Sequence, residues 1–177
     1  MTRLKVFISC LILTAGSSAC NQSVDTGETQ KKDSSSVIAE FAEIKDGETK
    51  EVYKHYIQLK DNLVTSDPAA AQKAGAELAL ALANIKGCEN TSSLATKIAS
   101  SNDLKFQRAQ FIALSSDIIA LLKHKEIGSG KLYVQHCPMV NEGEGAYWIS
   151  SEKEIKNPYY GDEMLNCGSV TETIASK

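Results

Sequence analysis

The chain has 177 residues, 23% of them charged and 42% hydrophobic, with a formal net charge of -3. That length suits one well-buried core behind a tether rather than several domains. Mild acidity, with no basic stripe and no interleaving of aromatic and basic residues, argues against a nucleic-acid partner.

The amino terminus carries an export signal. Arg3 and Lys5 precede an apolar run from Val6 to Thr14, followed by Ala15-Gly16-Ser17-Ser18-Ala19-Cys20. This is the order of charge, hydrophobic stretch and small-residue cleavage region in a secretory signal, and the run is too short to span a bilayer. A cysteine directly after small residues is similar to a bacterial lipobox, so residues 1–19 are expected to be removed and Cys20 to carry the lipid. Asn21, rather than Asp, follows Cys20; by similarity to the sorting rules for such anchors, this points to the outer membrane, facing the periplasm. The processed chain would hold 17 basic against 22 acidic residues, about -5.

Residues 20–47 are expected to form a lipidated flexible linker, because the chain from Asn21 to about Ser36 is polar and has only Val24 as a large apolar residue. Four helical segments follow. Val52, Tyr56, Leu59 and Leu63 repeat at spacings of four, three and four, on one helical face. Asp67-Pro68 reads as a cap with proline at the first helical position, opening an alanine-rich helix from Ala69 to Lys86 that Gly87 ends. A short helix from about Thr91 to Ser100 offers Leu94 and Ile98. Asn102-Asp103 can cap a last one showing Phe111, Leu114, Ile118 and Leu121, with Lys123, His124 and Lys125 where positive charge suits the helix dipole.

The expected fold is therefore mainly all-α, an up-down four-helix bundle with an irregular carboxy-terminal flap. The core is expected to include Tyr56, Leu59, Leu82, Ile98, Phe111, Leu114 and Ile118. Residues 48–168 form the domain, with the flap from Lys131 to Gly168 and a polar tail at 169–177. In the flap Leu132, Tyr133 and Val134 favour strand, and Asn157-Pro158-Tyr159-Tyr160-Gly161 looks like a turn.

The flap also holds the chemistry. His136-Cys137-Pro138-Met139 and Met164-Leu165-Asn166-Cys167-Gly168 gather two thiols and both internal methionines, in a chain with five cysteines and three methionines. Soft sulfur donors suit Cu(I). Pro138 biases Cys137 towards extended backbone, where residues two apart share a face, so Cys137 would align with Met139 while His136 points away. A helical turn over Glu163–Cys167 would likewise align Met164 with Cys167. Cys137, Met139, Met164 and Cys167 are thus the candidate metal ligands, with His136 as a less favoured addition.

The alternatives are a Cys137–Cys167 disulfide fastening the flap in an oxidising compartment, with the methionines as adaptable filler, or two unpaired structural thiols. Cys88, beside Gly87, reads as a buried or free loop thiol. His55 and His124 show no ligand partner at suitable spacing, and adjacency of His136 and Cys137 in extended chain does not make a nucleophile and base. Glu142, Glu144, Asp162 and Glu163 read as solvated loop carboxylates.

Several motifs in order carry a resemblance: Arg108-Ala109-Gln110-Phe111-Ile112-Ala113-Leu114-Ser115, Tyr133 to Met139, Gly145-Ala146-Tyr147-Trp148-Ile149-Ser150, Ile155 to Gly161 and Met164 to Gly168. Together, over roughly residues 48–168, they resemble the domain of unknown function 3347 family, found in lone bacterial lipoproteins and appended to membrane-fusion proteins of heavy-metal efflux pumps. The resemblance implies no activity, only an association with copper and other heavy-metal handling. Two functions are therefore expected in competition, neither enzymatic. The first, and the one the residues favour, is a lipid-anchored protein that binds or presents a soft metal ion, Cu(I) above all, in metal handling or efflux. The other is an interaction module with a structural disulfide, docking through Tyr147, Trp148, Tyr159 and Tyr160 onto an envelope protein such as an efflux component.

Overall fold

Apolar residues three and four apart bury themselves as four helices, and β-branched residues towards the carboxy terminus pair as strands. The computed structural model describes residues 41–176. The export signal, Cys20 and the linker up to residue 40 lie outside the described residues.

Helix α1 spans Gly47–Val64, α2 Pro68–Ala83, α3 Glu89–Ala99 and α4 Leu104–Lys123. Three starts are set by aspartates that accept from otherwise unpaired amides of the first turn: Asp46 from Glu48 and Thr49, Asp67 from Ala70, and Asp103 from Lys105 and Phe106. Helix α2 stops at Ala83, short of the expected Lys86. There the hydrogen bonds tighten to three-residue closures, Asn84 to Ala81 and Ile85 to Leu82, and the chain turns out through Gly87. Helix α3 starts at Glu89, two residues ahead of expectation.

Consecutive helices pack against one another along the chain. The approach of α2 to α3 is closest at Gly75, where an added Cβ would lie 3.2 Å from the Ala95 carbonyl and the Ala99 amide. Tyr56, Leu59, Leu82, Ile98, Phe111, Leu114 and Ile118 are all 0% exposed, so the helical spacing identified the core. One charged side chain joins them: Lys60 is buried, and its ammonium meets Asp61 at 2.6 Å.

The segment before α1 departs from the expected linker. Ala42 and Ile44 are buried in the core. Strand β1, Glu43–Ile44, pairs antiparallel with β2, Ile127–Ser129. The Lys45 amide donates to the Glu126 carbonyl at 3.2 Å, and Lys125 meets the Asp46 carboxylate at 2.5 Å. The entry to the domain is thereby tied to the end of α4. Burial of Ala42 and Ile44 draws into the core a stretch that was expected to belong to the linker.

Asp46 gives this latch a pH dependence. The hydrogen bond from Lys125, the Thr49 amide and the positive charge of Lys125 together lower its pKa from 3.8 to about 2. A carboxylate with a depressed folded pKa stabilises the fold above its unfolded value, and that contribution is lost as pH falls towards the folded one. The latch is expected to be fully present above the ordinary value of 3.8 and to fade between there and about 2. Acid unfolding followed by circular dichroism, compared with Asp46→Asn, tests this. The variant should lose stability at neutral pH and show a weaker acid dependence across that window, whereas identical acid profiles would show that Asp46 does not contribute.

The carboxy-terminal part is more regular than a flap. Strands β3 (Lys131–Cys137), β4 (Ala146–Ser150) and β5 (Ser169–Ala175) form an antiparallel sheet in the order β4-β3-β5. The supposed polar tail from 169 is therefore an edge strand. Val170 and Ile174 are half-buried while Thr171, Glu172 and Thr173 face solvent, which is why the segment reads as polar although its residues favour β structure. Among the described residues the fold is mainly helical, with two small antiparallel sheets. Strand β4 packs against α4, and the Ile149 amide donates to the Tyr56 hydroxyl at 3.1 Å, joining sheet to helices.

Candidate functional site

The long connection from Ser151 to Gly168 is held to the sheet and helices by fixed polar contacts. Buried Gln135 on β3 directs its amide nitrogen at the carbonyls of Glu152, Lys153 and Glu154, at 2.9, 3.3 and 3.1 Å. This bends the chain back over the sheet. Arg108 on α4 donates to the carbonyls of Pro158 and Leu63, both at 2.9 Å, and to the Ser66 hydroxyl at 3.0 Å. One guanidinium thus ties the connection to the end of α1. Partial burial lowers the Arg108 pKa, with Glu163 opposing the shift.

Four aromatic rings fill the space between. Tyr56 stacks on Phe111 at 5.4 Å, Phe111 meets Tyr159 at 5.7 Å, and Tyr159 meets the edge of Trp148 at 5.9 Å. The Tyr159 hydroxyl donates to the Tyr147 carbonyl at 2.6 Å, and Tyr56 and Ser115 share a hydrogen bond of 2.8 Å. Burial pushes the Tyr56 and Tyr159 phenols well above the usual tyrosine value. Trp148 is 0% and Tyr159 6% exposed, which corrects their assignment to an interaction surface: they anchor the sheet and its long connection. Tyr147 remains exposed, and Tyr160 is half-buried with its hydroxyl donating to the Met139 carbonyl at 2.8 Å.

The two cysteines of the candidate site meet. Cys137 ends β3 opposite Ala146 and is 0% exposed. Cys167 lies on a turn closed by its amide donating to the Met164 carbonyl at 3.0 Å. Their Sγ atoms are 2.7 Å apart. Asn157 fixes the turn, its side chain donating to the Cys167 carbonyl at 2.9 Å and its amide to the Leu165 carbonyl at 2.8 Å. The hydrogen bond to Cys137, with a smaller effect of burial, pushes the Cys167 thiol up to about 11.

The methionines are placed differently from expectation. The strand ends at Cys137, and Pro138 and Met139 turn away, so the alternation that would align Met139 with Cys137 does not continue. Met139 is 57% and Met164 36% exposed. Met164 follows a 3-10 turn at Gly161–Glu163 rather than lying on an α-helical one. His136 points to the opposite face of β3 from Cys137, as expected, and its ring packs on Tyr147 at 4.2 Å.

The other candidates separate clearly. Cys88 is a half-buried free thiol at the start of α3 whose pKa is raised by burial and by Glu89. His55 does have carboxylate neighbours, contrary to expectation: Glu51 at 3.7 Å, one turn back on α1, and Glu77 of α2 at 3.3 Å. The first of these was readable at a spacing of four. Among the described residues, no three His, Cys, Asp or Glu side chains cluster to hold a metal ion. Sequence reasoning also missed Arg108 and Gln135, whose roles depend on carbonyls up to 50 residues away.

Gly168 makes the sulfur contact possible. Its φ is +142°, and a Cβ there would lie 2.8 Å from the His136 carbonyl oxygen and 2.9 Å from the Trp148 ring. Gly168→Ala is expected to destabilise by about 1–3 kcal/mol, the usual cost of strained backbone. Urea unfolding measures it, and an unchanged midpoint would show that the turn relaxes freely.

Comparison with known proteins bears on the helical part. The family model described as a protein of unknown function (DUF3347) matches residues 52–130, from α1 to the end of β2, and stops short of the sulfur pair. No curated protein and no solved structure matches the chain. Residues 52–130 are thus similar to the DUF3347 family.

Proposed function

We propose that this protein is a non-catalytic interaction module of the cell envelope, anchored through lipid on Cys20 and stapled by a disulfide between Cys137 and Cys167. The observation that carries it is the direct contact of the two sulfurs, 2.7 Å apart. Two thiolates on one tetrahedral ion, each about 2.3 Å from it, stand roughly 3.7 Å apart. A disulfide needs only a small further approach. The four helices, each packed on the next, act in this reading as an up-down bundle carrying the sheet. Its exposed apolar groups at the sulfur-bearing end, Met139, Met164 and Tyr147, offer the docking surface, with an efflux component as partner. Peptide mapping without reductant, on protein isolated from membranes, should recover Cys137 joined to Cys167. Recovery as free thiols would overturn the staple.

A second reading is favoured by the outward Met139 and Met164, each within three residues of a cysteine of the pair. In it the reduced pair opens and the two thiolates and two thioethers bind Cu(I). The reduced protein, offered Cu(I) anaerobically, should then take up one ion, with Cys137→Ser or Cys167→Ser abolishing most of the affinity and His136→Ala having less effect. Unchanged copper affinity in the double serine variant would remove this reading.

The anchor is tested separately. Cys20→Ala should abolish lipidation and partitioning into detergent, and a processed amino terminus elsewhere would refute it.

A further inference from the structure

We propose that the Cys137–Cys167 pair exchanges with external disulfides and thiols through Cys167 alone, with Cys137 acting as the buried resolving residue. This rests on the disulfide reading above and names the route by which the staple is made and undone. The partner class is any molecule with an accessible disulfide, or a thiol for the reverse direction.

The geometry of access carries the argument. Thiol–disulfide exchange needs one sulfur to approach another directly, so its rate depends on which sulfur can be reached. Cys137 is 0% exposed at the last position of β3, paired with Ala146. Cys167 is half-buried on a turn whose flanking residues Asn166 and Met164 are exposed. Asn157 holds the backbone of that turn, so the outer sulfur is presented in one place. The inner sulfur already touches it at 2.7 Å, and the resolving step requires no rearrangement of the fold.

Oxidation then proceeds in two displacements. The Cys167 thiol loses its proton to water, and its thiolate attacks one sulfur of R–S–S–R. A Cys167–S–S–R bond forms while one RS⁻ leaves and is protonated. Cys137, deprotonated in turn, attacks the Cys167 sulfur. The Cys137–Cys167 bond forms and the second RS⁻ leaves and is protonated. The pair gives up two electrons and two protons, and the reagent becomes two RSH. Reduction reverses each step, an external thiolate attacking Cys167 and expelling Cys137. Because the contact with Cys137 holds the Cys167 thiol up at about 11, the capture step should accelerate as pH rises towards that value.

The test uses the full chain in a Cys88→Ser background, reduced and then exposed to glutathione disulfide, quenched with acid and mapped by peptide mass spectrometry. With Cys137→Ser, glutathione should accumulate on Cys167. With Cys167→Ser, the adduct on Cys137 should form at least about tenfold more slowly, as buried thiols react slowly. Equal rates, or faster modification of Cys137, would overturn the assignment. If either serine variant fails the circular dichroism check for folding, early quenching of the chain with both cysteines decides instead. Glutathione on Cys167 supports the route, and glutathione on Cys137 refutes it. Free thiols in protein isolated from membranes would sink the staple, whereas the site of the adduct judges the exchange route by itself.

Discussion

Phe111→Ala should cost about 3–5 kcal/mol of stability, the largest single effect expected from a substitution in the helices. Phe111 is 0% exposed and sits between the rings of Tyr56 and Tyr159, at 5.4 and 5.7 Å. Its removal leaves a cavity where α1, α4 and the long connection of the sheet meet. A domain of this size is stable by only about 5–15 kcal/mol, so the variant should unfold at a much lower urea concentration or fail to accumulate. Leu80→Ala is the control. That side chain is 72% exposed, and its loss should change stability by no more than about 0.5 kcal/mol. A Phe111→Ala midpoint close to that of Leu80→Ala would show that the aromatic stack does not hold the sheet to the helices.

Reducing the Cys137–Cys167 pair should have the next largest effect. The two cysteines are 30 residues apart in sequence. Closing a loop of that length restricts the unfolded chain by about 3–4 kcal/mol in the chain-entropy model, within the range measured for native disulfides. Oxidised protein should therefore unfold at a higher urea concentration than protein kept in dithiothreitol, and Cys137→Ser should match the reduced form without responding to reductant. Equal stability of the oxidised and reduced forms would remove the staple as a structural element. The sheet, not the helices, should feel the change first, because Cys167 leads directly into β5 through Gly168.

The two predictions draw on different kinds of information. Phe111 was legible from its spacing relative to Leu114 and Ile118, which puts the three on one apolar face of the helix. The disulfide between Cys137 and Cys167 was one of three readings, beside a metal site and two unpaired structural thiols, and the redox state that separates them is not written in the sequence. Each was expected to meet the other on the ground of sulfur chemistry. Whether the methionines would join them depended on where β3 ends, and Pro138 starts a turn there instead of extending the strand.

By itself, the sequence determined the helices and their core. Their signals are local: an aspartate cap acts within three residues, and apolar periodicity repeats within one turn. It also determined that Asn157 to Gly161 turns and that His136 diverges from Cys137, because both follow from backbone geometry over a few residues. Tertiary structure alone decided that Ala42 and Ile44 are core, that the segment after Gly168 is an edge strand, and that Trp148 and Tyr159 face inward. Each of these depends on a partner far along the chain: β1 on β2, β5 on β3, Tyr159 on Phe111. A short or half-exposed strand buries too little apolar surface to announce itself, and its hydrogen-bonding partner leaves no trace in neighbouring residues. The same holds for Arg108 and Gln135, which look like ordinary surface polar residues until folding brings main-chain carbonyls to them.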